Sequence, residues 1–179
     1  MTWTFVVIAL LIILAFGVYV SWRAGRLDRM HNRVEAARTA LDLAMVRRSS
    51  SAYELASSGL LDPANSLLLA SAVRRAKEAD QAERDLAESD LTRALRATFS
   101  QPGFRSELDG QDGAEELVAE VDAAAQQVFI ARKFYNDVAS RTIDARRRPL
   151  ARAFRLAGNA PPPEYFEIED ALTDGPGPS

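Results

Sequence analysis

The chain has 179 residues, a net charge of −3, one histidine and no cysteine. A length of this order sets one domain as the prior, and the missing cysteines exclude disulfides and thiolate chemistry and fit a reducing compartment. A net charge of −3 argues neither for nor against nucleic acid, and no nucleic-acid partner is expected.

Residues 2–22, "TWTFVVIALLIILAFGVYVSW", carry no charge. Trp3 to Trp22 spans 20 residues, which as helix is roughly 30 Å, the thickness of a bilayer's hydrocarbon core. A Trp at each end, with Tyr19 near the second, suits the two water interfaces. A cleaved signal peptide would need a basic start, a shorter apolar stretch and a small-residue cleavage site. The start "MTWTF" has no Lys or Arg, and "VYVSWRAGR" is bulky where cleavage would fall. Residues 1–22 are therefore predicted to be a single uncleaved transmembrane anchor. Arg23, Arg26, Arg29, Arg33, Arg38, Arg47 and Arg48 follow it, against Asp28, Glu35 and Asp42. The positive-inside rule then places the N-terminus outside and the body in the cytoplasm. Arg23 and Arg26 can also reach anionic lipid headgroups.

The first helix is predicted to continue out of the membrane. Leu27, Met30, Val34, Ala37, Leu41 and Ala44 alternate by three and four, which makes a seam on one helix face. The pattern fades in "RRSSSAYELASS", and Gly59 is a C-terminal stop. A second long helix opens at "DPANSLLLASAV", with Asp62 as N-cap and Pro63 in the first turn. Leu69, Val73, Ala76, Leu86, Leu91, Leu95 and Phe99 can face inward along it. Its charged middle, "RRAKEADQAERDLAESD", reads as a solvated stretch laced with i,i+4 ion pairs.

"SQPGFRSELDGQDG" breaks the helical pattern with Pro102, Gly103, Gly110 and Gly113. Asp109, Asp112 and Glu115 do not follow the ligand order of a calcium loop; Asp112 and Glu115 instead make a capping box for the next helix. That third helix carries Leu117, Val121, Ala124, Val128, Ala131, Tyr135, Val138 and Thr142 in unbroken four-three alternation. Val118, Ala125 and Phe129 widen the stripe to the breadth a bundle needs. Pro149 ends the helix. A short apolar helix, "LARAFRLAG", follows and Gly158 closes it. "NAPPPEYFEIED" is extended, since its prolines bar helix, and "ALTDGPGPS" reads as disordered.

No strand candidate shows sustained alternation. The predicted fold is all-α: an N-terminal transmembrane helix, then an antiparallel up-and-down bundle of three long helices plus a short C-terminal one. The divisions are an anchor over 1–22, the bundle over 23–158 and an extended, disordered acidic tail over 159–179.

Inside the third helix, "ARKFYNDVA" crowds Phe134, Tyr135, Asn136 and Asp137 together, just after Arg132. Tyr135 falls on the apolar seam and Phe134 borders it, so the physical reading is a packing node with a polar rim. The stretch also resembles the ARRFYND-type segment of the LemA family of bacterial membrane proteins. "HNRVEAARTALDLAMVRR" is similar to that family's first-helix pattern, matching it at Asn32, Arg33, Val34, Glu35, Asp42, Arg47 and Arg48. "SDLTRALRATF" resembles the segment before the family's variable turn. "RRRPLARAFRLAGNAPPPEYFE" follows its ending, with Tyr165, Phe166 and Glu167 as the closing aromatics and acid. The chain departs from the family at "SSSAYELASSG", where an aspartate and a Pro-Asn-Leu run are usual, and at Arg38, where an aromatic is usual. The resemblance implies an anchored helical bundle of the bacterial inner membrane and no particular catalysis.

The residues themselves argue against an enzyme. His31 is the only histidine, so neither a His-rich zinc site nor a diiron site with two Glu-x-x-His motifs can be built. No Gly-rich phosphate loop or nucleophile elbow occurs. No cofactor is expected. The cluster Arg141, Arg146, Arg147, Arg148, Arg152 and Arg155 reads as cations at a helix C-terminus, with the acidic tail folded back nearby; phosphate groups or a membrane surface are the alternative. The expected role is an interaction or scaffold module whose partners are the membrane and an unidentified protein or, in a homo-oligomer, a second copy. The competing role is a signalling or regulatory adaptor. Asn32, Asp42, Arg47, Arg48, Arg132, Phe134, Tyr135, Asn136 and Asp137 are the candidate interaction positions.

Overall fold

The computed structural model describes residues 2–104, 108, 110–147 and 161–169, with no side chain described at Thr2, Val20, Arg23, Ala24, Arg26, Leu27 or Asp28. The regular structure is entirely helical, and no strand occurs among the described residues. Four helices are bounded among the described residues: α1 (Thr2–Ser57), α2 (Pro63–Glu78), α3 (Arg84–Phe99) and α4 (Ala114–Arg147).

Among the described residues, no helix is long and apolar enough to cross a membrane.

The chain divides into two compact units, Met1–Ala37 with Asn136–Tyr165 and Arg38–Tyr135 with Phe166–Ser179. The second unit holds a helical bundle whose core draws on all four helices. Ala52, Leu55 and Ala56 come from α1, Leu69, Ala72, Val73 and Ala76 from α2, Leu91, Ala94 and Leu95 from α3, and Val121 from α4. The many alanines let helix axes approach closely. A smaller cluster of Phe104, Leu108 and Ala114 closes one flank, where the Phe99 and Phe104 rings lie 5.4 Å apart at 43°. That is a tilted aromatic pair within the favourable range.

The seams predicted on α1 and α4 face inward. Val34, Ala37, Leu41 and Ala44 are buried on α1 and Met30 is half-buried, while the Leu27 side chain lies outside the described ones; on α4 Val121, Ala124, Val128, Ala131, Tyr135 and Thr142 are buried. Leu117 and Val138 are half-buried. α1 stops at Ser57, just before Gly59 at φ +80°, a left-handed conformation that glycine adopts without steric cost. Asp62 caps α2 by accepting from the Ala64 N–H at 2.9 Å and the Asn65 N–H at 3.2 Å.

Three expectations need correction. The long helix over 62–99 is two helices of 16 residues that pack on each other. The break falls at 79–83, where the Asp80 carboxylate accepts from the N–H groups of Ala82 at 2.9 Å and Glu83 at 3.0 Å. The side chain thereby captures amides that a continuing helix would bond to its own carbonyls. Leu86, expected inward, is 64% exposed and Ala87 is buried instead, because the restart at Arg84 resets the helical phase. The capping box of Asp112 with Glu115 does not form among the described residues. α4 begins at Ala114, directly after Gly113 at φ +76°, which leaves Asp112 one position too early to serve as the cap.

Pro149, the short helix expected over 150–158 and the residues after Glu169 lie outside the described residues. Residues 161–169 form no regular secondary structure, and the prolines at 161–163 bar a helix there. They are not all free of the bundle. Ile168 is buried, and Phe166–Glu169 runs along α3 through bonds to Asp85 and Ser89. Glu169 meets Arg93 and Arg96, and at the start of the segment Arg146 of the α4 arginine cluster donates to the Pro161 carbonyl at 3.0 Å.

Candidate functional site

Arg47 and Arg48 are neighbours in sequence, but one residue turns a helix by about 100°. Arg47 is exposed and Arg48 is fully buried at 0% exposure. The Arg48 guanidinium points at α3. Its Nη1 donates to Thr92 Oγ1 at 2.8 Å. Its Nη2 donates to the Glu88 backbone carbonyl at 3.2 Å and to the Glu88 carboxylate. Thr92 in turn donates its hydroxyl proton to the Glu88 carbonyl at 3.1 Å, which leaves its lone pairs for Arg48. The Arg48 Nε is buried with no acceptor. The Glu88 side chain is 4% exposed, so both members of the ion pair are out of water.

Burial raises the Glu88 pKa, because a desolvated carboxylate resists ionisation. The Arg48 charge and hydrogen bond oppose that shift, Arg84 opposes it more weakly, and Asp42 adds to it. At the rim Arg84 pairs with Asp42 at 3.0 Å. Two acids and two bases thus alternate between α1 and α3. Such a buried pair contributes little net stability, since desolvation offsets the Coulombic gain. It does fix how α1 is rotated against α3, because only one rotation supplies Arg48 with its acceptors.

Of the candidate positions, this site brings together Asp42 and Arg48. Glu88, Arg84 and Thr92 complete it and were not among the candidates. Within the "FYND" stretch, Tyr135 is 4% exposed and packs in the core, whereas Phe134 is 58% exposed. Asp137 faces out and pairs with Arg141 at 3.0 Å, one helical turn on. Arg132 and Asn136 are half-buried and engaged, and Asn32 is exposed. Helix geometry therefore distributes the four adjacent residues over different faces.

The chemistry open to the Arg48–Glu88 site is limited. Its carboxylate is already bound to a guanidinium, and no nucleophile adjoins a base there. Among the described residues no group of three or more His, Asp or Glu could hold a metal ion. Comparison with family models, with curated proteins and with solved structures found no match to this chain.

Proposed function

We propose that the protein is a single-pass, membrane-anchored helical bundle of the LemA type that serves as a non-catalytic interaction or scaffold module. The observation that carries this reading is the start of α1. Residues 2–22 hold no charge, and within them Trp3, Leu10, Ile12, Ile13 and Leu14 are each more than 60% exposed. Water penalises so much apolar surface, and lipid removes the penalty. The arginines that follow favour a cytoplasmic bundle by the positive-inside rule, which at a bacterial inner membrane leaves the N-terminus outside.

The interaction role draws support from the bundle's outer faces. Ile130 and Phe134, one turn apart on α4, are 55% and 58% exposed, and Leu43 and Val46 on α1 are 65% and 59% exposed. Apolar side chains paired on a helix surface offer docking area that solvation alone does not require. No reactive constellation competes with this reading at the buried Arg48–Glu88 pair.

The test combines two fusions and a deletion. A reporter active only in the cytoplasm should work when fused after Ser179, and an export-dependent reporter should not. Removing residues 1–22 should move the protein from the membrane pellet to the soluble fraction. Activity from the export-dependent reporter would reverse the topology, and a truncated protein that stays membrane-bound without aggregating would end the single-anchor reading.

A further inference from the structure

The segment Phe166–Glu169, which has no regular secondary structure of its own, meets α3 through two alternate amides. The Glu167 N–H donates to Asp85 Oδ2 at 3.1 Å, and the Glu169 N–H donates to Ser89 Oγ at 3.0 Å. The two donors are two residues apart, which in an extended chain is about 6.6 Å. The two acceptors are four residues apart on a helix, about 6.0 Å of rise. The spacings nearly coincide, so one helix face reads two successive outward amides of an extended backbone. Ser89 is oriented to accept, because its hydroxyl proton goes to the Asp85 carbonyl at 2.7 Å and leaves the oxygen lone pairs for the incoming amide.

Side chains add selectivity to the backbone register. Between the two amides, Ile168 turns inward and is buried to 8% exposure. Immediately after it the Glu169 carboxylate binds Arg96 and lies 3.8 Å from Arg93 Nε. Arg93 and Glu169 are 52% and 44% exposed, so these ion pairs are screened and individually weak. Backbone amides held in register, one apolar anchor and one clasped carboxylate are the parts of an extended-peptide recognition site.

We propose that the Asp85–Ser89–Arg93–Arg96 face of α3 is a peptide-binding site. It takes an extended segment with an aliphatic residue followed directly by a carboxylate. The chain's own Phe166–Glu169 occupies it, and a partner protein presenting a segment of the same chemistry gains the site by displacing it. Self-occupancy makes the contact autoinhibitory. A segment held on the same chain competes at roughly millimolar effective concentration, so an incoming partner must bind well enough to overcome that level. This site is separate from the apolar outer faces, and it stands whether or not the first residues cross a membrane.

The test uses the full chain in detergent micelles and a fluorescent peptide of residues 161–170, "PPPEYFEIED". A chain carrying Ile168→Asp and Glu169→Ala has its own segment disabled and should bind the peptide saturably. The unmodified chain should bind it about tenfold more weakly or less, from the internal competition. Adding Arg93→Glu and Arg96→Glu to the disabled chain should remove binding, and a peptide with Glu169→Lys should restore it. Equal binding to the unmodified and disabled chains would overturn the proposal. So would absence of binding to a disabled chain that keeps its melting temperature, or a charge-reversed chain that fails to recover with the reversed peptide. Should the disabled chain misfold, hydrogen exchange on the unmodified chain decides. Excess peptide should accelerate exchange at the Glu167 and Glu169 amides, and unchanged protection would refute the site.

Discussion

Glu88→Ala is the sharpest probe of the bundle. It removes the carboxylate from a guanidinium that has no exposed surface. Arg48 keeps Thr92 Oγ1 and the backbone carbonyl of residue 88, but both are neutral, and its Nε already lacks an acceptor. Stranding one member of a buried pair costs about 3 to 5 kcal/mol; with two acceptors surviving, the lower figure is expected. Against a total stability of about 5 to 15 kcal/mol for a domain, that is a large loss. The double variant Arg48→Met with Glu88→Leu removes both charges and fills similar volume. Such replacements are neutral or stabilising in buried pairs, so its unfolding midpoint should equal or exceed that of the parent. The assay is urea unfolding followed by circular dichroism, on parent, single and double variants. A Glu88→Ala loss below about 1 kcal/mol, or a double variant weaker than the single, would show that the pair is not the isolated, desolvated contact described above.

Four further outcomes follow from particular side chains. Tyr135→Ala should lower stability by about 3 to 5 kcal/mol in thermal melts, as expected for a large buried aromatic. Asp137→Ala should cost less than about 0.5 kcal/mol in the same melts, because its partner Arg141 and its own carboxylate are 73% and 51% exposed and water screens the pair. Asp62→Ala deletes two cap bonds at the start of α2 and should cost about 1 kcal/mol by urea titration. The raised pKa of Glu88 means that the folded chain holds this proton more tightly than the unfolded chain does. The stability it contributes is therefore full below the ordinary value of 4.5 and is lost as pH rises through the raised folded value. Glu88→Gln does not titrate, so across that window the stability difference should shift in favour of the variant. A difference that stays flat from acid to neutral pH contradicts the assigned shift.

Much of the helical architecture was legible because burial follows helical period. The α4 seam from Val121 to Thr142 and the α1 seam from Val34 to Ala44 needed only spacing. The turn at 79–83 was not read, since it contains neither glycine nor proline. Its trace lies in the inward line Leu69, Val73, Ala76, which continues to Asp80 and Glu83: two charges in succession where apolar residues belong. The α1 seam did not fade either. Stepping four on from Ala44 reaches Arg48, and Leu55 lies one heptad beyond. Arg48 on a seam marks a buried cation, and its partner must then be an acid on another inward face, as Glu88 is. Spacing along one helix does not identify which acid, because that depends on how α1 and α3 are rotated together. The contact of Phe166–Glu169 with α3 was hidden for a different reason: an extended segment has no helical period, and its binding energy sits largely in backbone amides that every sequence supplies.

The turn at 79–83 also bears on the order in which the bundle assembles. Contacts close along the chain form early, because short loops lose little entropy on closing. α2 and α3 need only that five-residue turn to meet. Arg48, in contrast, must find an acid 40 residues away. Drying a guanidinium before its acceptors are in place is uphill, so α1 should dock onto a hairpin that already exists. Lesions at the two places then act on different rates: Asp80→Ala should slow folding, whereas Arg48→Met should chiefly hasten unfolding.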